Sequence, residues 1–298
     1  MRRLTYCTEI FPIRFYTFMK KRLQRIIAKG QFLDEIMAWK RQEVSARMAE
    51  TPETDLRALL AFTPPAVDFA AALARPGLSL IAEVKRATPD KGLIAREFDA
   101  VTMALDYVAG AAAAISCVTD ARFFQGQLDY LTAIKEAFRA KEVAAPVLRQ
   151  DFIHHPYQVL QSRVAGADAI TLIMAVLGDA DYLRLLAYAR ELGMTALVAV
   201  HDESELARAL RGESRIICLN HRDLRTFKVD ASVTPRLRPL VPEGTMVVAA
   251  GGVRNASDVE KLKASGADAI LVGESLSRQS PQQRQRKVKQ LVSAGRAQ

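Results

Sequence analysis

The chain of 298 residues is predicted to be an α/β protein, a closed (β/α)8 TIM barrel preceded by a helical extension, on three observations. Eight short apolar runs recur from residue 79 onward, each followed by a Gly or polar turn and a helical pattern. The runs start about 20 to 35 residues apart and are apolar without alternation, as strands covered on both faces must be. The third observation is a repeat: "GADAI" occurs at 166–170 and again at 266–270, and Gly110, Gly166, Gly193 and Gly266 each close a helical segment. Eight such units close naturally into a barrel. An open, doubly wound sheet seldom needs eight strands, and its GxGxxG fingerprint is absent.

Taken in order, residues 1–30 form a basic extension and 31–78 a helical segment that covers the barrel. In that segment Ile36, Val44 and Met48 fall among charges in a helical manner, and two shorter pieces, 55–60 and 69–73, flank Pro64-Pro65. The barrel spans 79–280. Its apolar runs are 80–84, 113–118, 147–148, 169–173, 196–200, 216–219, 246–249 and 269–272, and 281–298 is read as a basic C-terminal tail.

Charge argues against a nucleic-acid-binding body. The net charge is +9, but residues 1–30 hold eight Lys/Arg against Glu9 alone and 281–298 hold five against no acid. The body between is therefore at −3 and offers no basic face for a polyanion. Three cysteines without a CxxC, and four histidines without metal-ligand spacing, give neither a disulfide framework nor a metal site. A reducing, cytoplasmic location follows. The apolar stretch 10–16 is divided by Arg14 and is too short to span a membrane, and no cleavage pattern marks a signal peptide.

In a barrel the working residues stand at the C-terminal ends of the strands. The first strand ends in "IAEVKRATPDKG", where Glu83 and Lys85, two residues apart, both turn inward. Gly251-Gly252 after the seventh strand and Gly273-Glu274-Ser275 after the eighth allow a phosphate to approach backbone N–H groups. Other strand-end candidates are Thr119, Asp120 and Arg122, then Arg149, Gln150 and Asp151, and finally Asn220, Arg222 and Asp223. Phe123-Phe124 either walls a flat ring or seals the rim. His201 is either a base or, with Asp202, part of a helix cap, and the cap is preferred.

With these residues the chain resembles the indole-3-glycerol-phosphate synthase family. The stretches that carry the resemblance are "LIAEVKRATPDKGLI", "AISCVTDARFFQGQLDYL", "APVLRQDFIHHPYQ", "IICLNHRDLRTFKVD" and "GADAILVGESLSR", colinear over residues 31 to about 280. The resemblance implies a cofactor-free lyase of tryptophan biosynthesis. Its phosphorylated small-molecule substrate, 1-(2-carboxyphenylamino)-1-deoxyribulose 5-phosphate, becomes indole-3-glycerol phosphate, carbon dioxide and water. It implies catalytic roles for Glu83, Lys85, Arg122 and Asn220, substrate binding by Phe124 and Arg222, and phosphate binding by Lys85, Gly252, Gly273 and Glu274. A monomer or weak homodimer is expected, with no nucleic-acid or membrane partner.

The match departs from the family at acid–base positions. The strand 2 lysine is Arg122, the strand 3 lysine Gln150 and the strand 5 glutamate Ala199; the strand 7 Glu-Ser pair is Ala250-Gly251. An arginine hardly gives up a proton. The alternatives to the synthase are therefore a divergent barrel enzyme acting on another phosphorylated aromatic or sugar-derived compound, and a non-catalytic phosphate-ligand binder.

Overall fold

The structure is a computed structural model that describes residues 26, 27 and 30–296. The basic stretch expected over 1–30 lies, but for residues 26, 27 and 30, outside the described residues. Helices α1 (Phe32–Glu50), α2 (Glu53–Leu60) and α3 (Phe69–Leu73) come first. On α1 the side chains of Phe32, Leu33, Ile36, Met37, Lys40 and Val44 are buried, three and four apart on one face. The helix ends just before Pro52, whose ring disfavours a helical residue ahead of it. Asp68 caps α3 by accepting from the Ala71 N–H.

Eight parallel strands follow: β1 (Ser79–Val84), β2 (Ala114–Val118), β3 (Val147–Gln150), β4 (Ala169–Ile173), β5 (Thr195–Val200), β6 (Ile216–Asn220), β7 (Met246–Ala250) and β8 (Ala269–Val272). Each pairs with its neighbours in sequence, and β1 pairs with β8 from Ser79 opposite Ala269 onward, so the sheet closes. The helices between them are α4 (Ala100–Ala109), α5 (Ala121–Phe124), α6 (Asp129–Ala140), α7 (Pro156–Val164), α8 (Asp179–Glu191), α9 (Glu203–Leu210), α10 (Val233–Leu237) and α11 (Ala256–Ala264), and α12 (Glu274–Ser277) and α13 (Pro281–Arg296) follow β8. Ile81, Leu148, Leu197, Ile216 and Val248 fill the barrel interior. The alternate residues, such as Leu80, Ile115, Ile170 and Val247, pack outward under the helices. The unalternated runs in the sequence record this two-sided burial.

The repeated "GADAI" does the same work twice. Asp168 and Asp268, one residue before β4 and β8, each accept an N–H at the start of the preceding strand, from its first residue Val147 and from its second residue Val247, both at 2.7 Å. Gly166 and Gly266 sit just past α7 and α11 at φ +93° and +81°, where a residue without Cβ ends a helix at little cost. Gly110 follows α4 with an ordinary φ of −81°, and Ala111 takes the left-handed conformation instead, at 73°. What Gly110 supplies is room: a Cβ there would lie 2.6 Å from the Cβ of Val288.

Val288 belongs to α13, and here the sequence expectation is corrected. Residues 281–296 are not a tail but the helix that completes the eighth unit, packed against α4, α11 and β1. Val288, Leu291 and Val292 are buried on it, and Arg284 is 2% exposed, its guanidinium donating to the Glu97 carbonyl and lying 3.6 Å from Asp106. The basic residues between them mask a buried stripe. No helix among the described residues is long and apolar enough to cross a membrane.

Gly110→Ala therefore destabilises the protein by about 1–3 kcal/mol, the usual cost of overpacking. Val288→Ala in the same chain recovers part of the loss. Urea denaturation of the two single variants and the double variant measures both, and strictly additive losses would contradict the close approach.

Candidate active site

The C-terminal end of the barrel is roofed by α1, and a buried ammonium fixes the roof. Lys40 Nζ lies 2.8 Å from Asp120, 3.0 Å from Asp151 and 2.8 Å from Glu43, with the lysine only 1% exposed. Both aspartates already hold the loops they stand in. Asp120 caps α5 through the Phe123 and Phe124 N–H groups, and Asp151 accepts from Phe152 N–H, from the Thr119 hydroxyl at 2.6 Å and from Arg149 at 2.9 Å. Burial alone would lower the Lys40 pKa, but the carboxylates of Asp151, Asp120 and Glu43 together outweigh it and hold the ammonium above its ordinary value. Burial likewise opposes the charge on Asp151, and Lys40 and Arg149 overcome it, holding that carboxyl well below the usual range. For Asp120 burial prevails and the pKa rises. Phe32 completes the roof, edge-on to Phe123 at 5.6 Å and to Phe227 at 4.7 Å.

Beneath lies a cavity of about 640 Å³ lined from the ends of all eight strands. Glu83 and Lys85 project into it as an ion pair, the carboxylate 5% exposed and the lysine half-buried. They lie directly against the backbone of Gly273, where an added Cβ would fall on the Glu83 carboxylate and Lys85 Nζ. Phe124 lines the cavity wall 6.2 Å from the Phe152 ring, while Phe123 is buried in the rim, so the adjacent aromatics divide the wall and the seal between them.

On the far side Asn220 Oδ1 accepts the Arg222 N–H at 3.1 Å. The Arg222 guanidinium donates to the Phe227 carbonyl at 2.9 Å and lies 3.4 Å from Asp90. Asp90 and Lys91 stand in a short hairpin between the two-residue strands 87–88 and 92–93, which reaches across the mouth. Gly251 and Gly252, at φ +93° and +83°, turn the backbone at the end of β7, and His221 holds this turn, donating from Nδ1 to the Gly251 carbonyl at 3.1 Å with Nε2 2.7 Å from the Thr234 hydroxyl. Burial lowers the His221 pKa, in keeping with a neutral ring in that role. Glu274 presents its carboxylate to Lys91, Arg278 and Arg222. Burial opposes its charge, but the hydrogen bonds from Lys91 and Arg278 hold its pKa below the ordinary value.

One candidate stands apart from the rest. Arg122 does not line the cavity among the described residues; its guanidinium lies 3.9 Å over the ring of Trp39 on α1, with Nε buried and unbonded. Arg149 also turns away, into a buried set of partners on α7 that includes Gln161 and Ser162. Asp202 caps α9 through the Glu205 N–H, and His201 reaches the Asn220 carbonyl at 2.7 Å. Ala199 and Ala250 line the cavity and bring no ionisable group to it. Sequence reasoning passed over Lys40, Trp39 and Lys91. A lysine within "AWKRQE" reads as a solvent-facing charge, and only the burial of Ile36, Met37 and Val44 around it gives Lys40 away.

A closed parallel barrel with a cavity at its strand ends that holds paired charged side chains is an enzyme site of the (β/α)8 class. A family model described as indole-3-glycerol phosphate synthase matches residues 33–291. The synthase of Dehalococcoides mccartyi strain CBDB1 is 44% identical over 246 residues, covering 82% of this chain and 94% of its own. That of Rhodopirellula baltica is 44% identical over 248 residues, with 83% and 94% covered. The chain belongs to the indole-3-glycerol phosphate synthase family. Among solved structures, a thiamine phosphate pyrophosphorylase from Pyrococcus furiosus superposes with a TM-score of 0.56 at 16% identity over 73% of this chain and 95% of that one, a likeness of fold alone.

Lys40→Met is expected to cost about 3–5 kcal/mol, because Asp120 and Asp151 would remain buried without their cation. The depressed Asp151 pKa adds stability above the unfolded carboxyl value, about 3.9, that is lost as the pH falls through and below it. Chemical denaturation from pH 7 down to pH 3 should show wild type losing more of its stability on acidification than Lys40→Met does; equal slopes would contradict the assignment.

Proposed function

We propose that this chain catalyses the reaction of its family at the roofed cavity, closing 1-(2-carboxyphenylamino)-1-deoxyribulose 5-phosphate to indole-3-glycerol phosphate with loss of carbon dioxide and water. The observation that carries the proposal is the Glu83–Lys85 pair, set against Gly273 inside the cavity of a chain with this family's sequence over nearly its whole barrel.

The phosphate sits against the backbone of Gly252, Gly273 and Glu274 with Lys85 on the same side, and the anthranilate ring lies along Phe124. Asn220 orients Arg222 through its N–H, and Arg222 faces the substrate's polar groups. In the first step the ring carbon bearing the carboxylate attacks the ribulosyl carbonyl. The new C–C bond forms as the carbonyl oxygen takes a proton from Lys85. The C–C bond to the carboxylate then breaks, carbon dioxide leaves, and its electron pair restores the aromatic ring. Lys85 then takes up a proton from solvent, and in the last step the hydroxyl departs as water with that proton, while Glu83 accepts the proton from the neighbouring carbon as the double bond forms. Glu83 and Lys85 can exchange protons directly, which lets one pair serve both ends of the sequence.

Arg122, stacked on Trp39 and outside the cavity lining, acts in this scheme by keeping α1 seated, not as an acid. With Ala199 and Ala250 in the wall, the proton traffic of three steps falls on one ion pair. Each missing acid–base group costs about 10²–10⁴-fold in rate, so turnover is slow.

Incubation with the carboxyphenylamino substrate is expected to give slow indole fluorescence; none at high protein concentration overturns the proposal. Gln150→Lys together with Ala199→Glu, both in the cavity wall, should raise kcat/KM by more than either change alone, since a donor and an acceptor then act in one reaction. Ala199→Glu by itself lowers the melting temperature, because an inward carboxylate without a cation must be desolvated. A folded double variant no faster than wild type would show that the cavity is not held in synthase geometry.

A further inference from the structure

Three cations from three separate segments converge on one carboxylate at the cavity mouth. Lys91, from the hairpin after β1, lies 2.7 and 2.6 Å from the two oxygens of Glu274. Arg278, one turn further along from α12, lies 3.0 Å from it, and Arg222, from the end of β6, lies 3.8 Å away. All four residues line the cavity. The carboxylate is drawn from within the site itself, and it is only partly exposed, at 26%.

We propose that Glu274 determines specificity by acting as an internal anion, competing with the phosphate group of a ligand for Lys91, Arg222 and Arg278. The proposal rests on the phosphate-ester reading given above and concerns how tightly that group is held. A dianionic phosphate entering the mouth meets cations already neutralised. It must either displace the carboxylate from them or stand beside a like charge, and both lower its affinity. Asp90 opposite adds to the effect through its own contact with Arg222 at 3.4 Å. The site therefore favours ligands that bring additional contacts, such as an aromatic ring against Phe124, over bare phosphate or a short phosphate ester.

A purely structural role for Glu274, tethering the hairpin through Lys91, makes a different forecast, and two variants separate the two. Under the competition, Glu274→Gln frees three cations and binds inorganic phosphate about tenfold more tightly, while Lys91→Gln removes a cation and binds it more weakly. Under tethering alone, both variants break the same bridge and weaken binding alike. Titration calorimetry with inorganic phosphate and with glycerol 3-phosphate, at low and at physiological salt, reads the difference, which should shrink as salt screens the charges. Glu274→Ser repeats the test with a smaller side chain should Glu274→Gln melt early. Affinity unchanged or weakened in both Glu274 variants overturns the proposal. Tighter phosphate binding without any indole-3-glycerol phosphate formed by the wild type supports the proposal and tells against the synthase reading; indole-3-glycerol phosphate formed with phosphate affinity unmoved does the reverse.

Discussion

The site depends on an ammonium group placed where water cannot reach it. Lys40 joins a helix that precedes the barrel to the ends of two of its strands, and each of its aspartate partners is already committed to a loop of its own. Such a group is costly to bury alone and strongly bound once its carboxylates surround it, so roof and barrel mouth are joined in a single arrangement. The position of Phe32 over Phe123 and Phe227, and of Trp39 against Arg122, follows from where that one contact sets α1. Asp120 and Asp151, which this contact holds in place, also line the cavity, and burial there makes a paired glutamate and lysine worth more than in water.

Much of the barrel could be read directly from the chain because its strands are buried on both faces. The run from Ala169 to Ile173 has no polar side to hide, apart from Thr171, and it emerges in the structure with the same limits. Helix α13 was harder. Its Arg284, Arg286, Lys287 and Lys289 give it the look of a solvated tail, yet Val288, Leu291 and Val292 form one side of it, and even Arg284 is taken inside by Asp106 and the Glu97 carbonyl. Charge count says nothing about which face of a helix carries the charge.

The site was legible in a similar, uneven way. Period-two spacing sufficed for Glu83 and Lys85, because a strand leaves its alternate residues only two directions. It could not place Arg122, whose direction is settled by an aromatic ring on a helix more than eighty positions earlier in the chain. Nor does the letter E after Gly273 reveal that the carboxylate meets a lysine from the first loop; that encounter exists only once β8 closes on β1.

Closure has a consequence for how the chain is made. The Leu78 N–H donates to the Gly295 carbonyl at 3.0 Å, β1 finds its second neighbour only in β8, and the seam under α4 is filled by Val288. During synthesis the first strand must therefore wait, with one edge open, until nearly the whole barrel has left the ribosome. An unpaired edge of that kind is a template for pairing with other chains. The lysine contact that seats the first helix and the strand pairing that closes the barrel thus lie at opposite ends of the chain, and the fold is complete only when both are made.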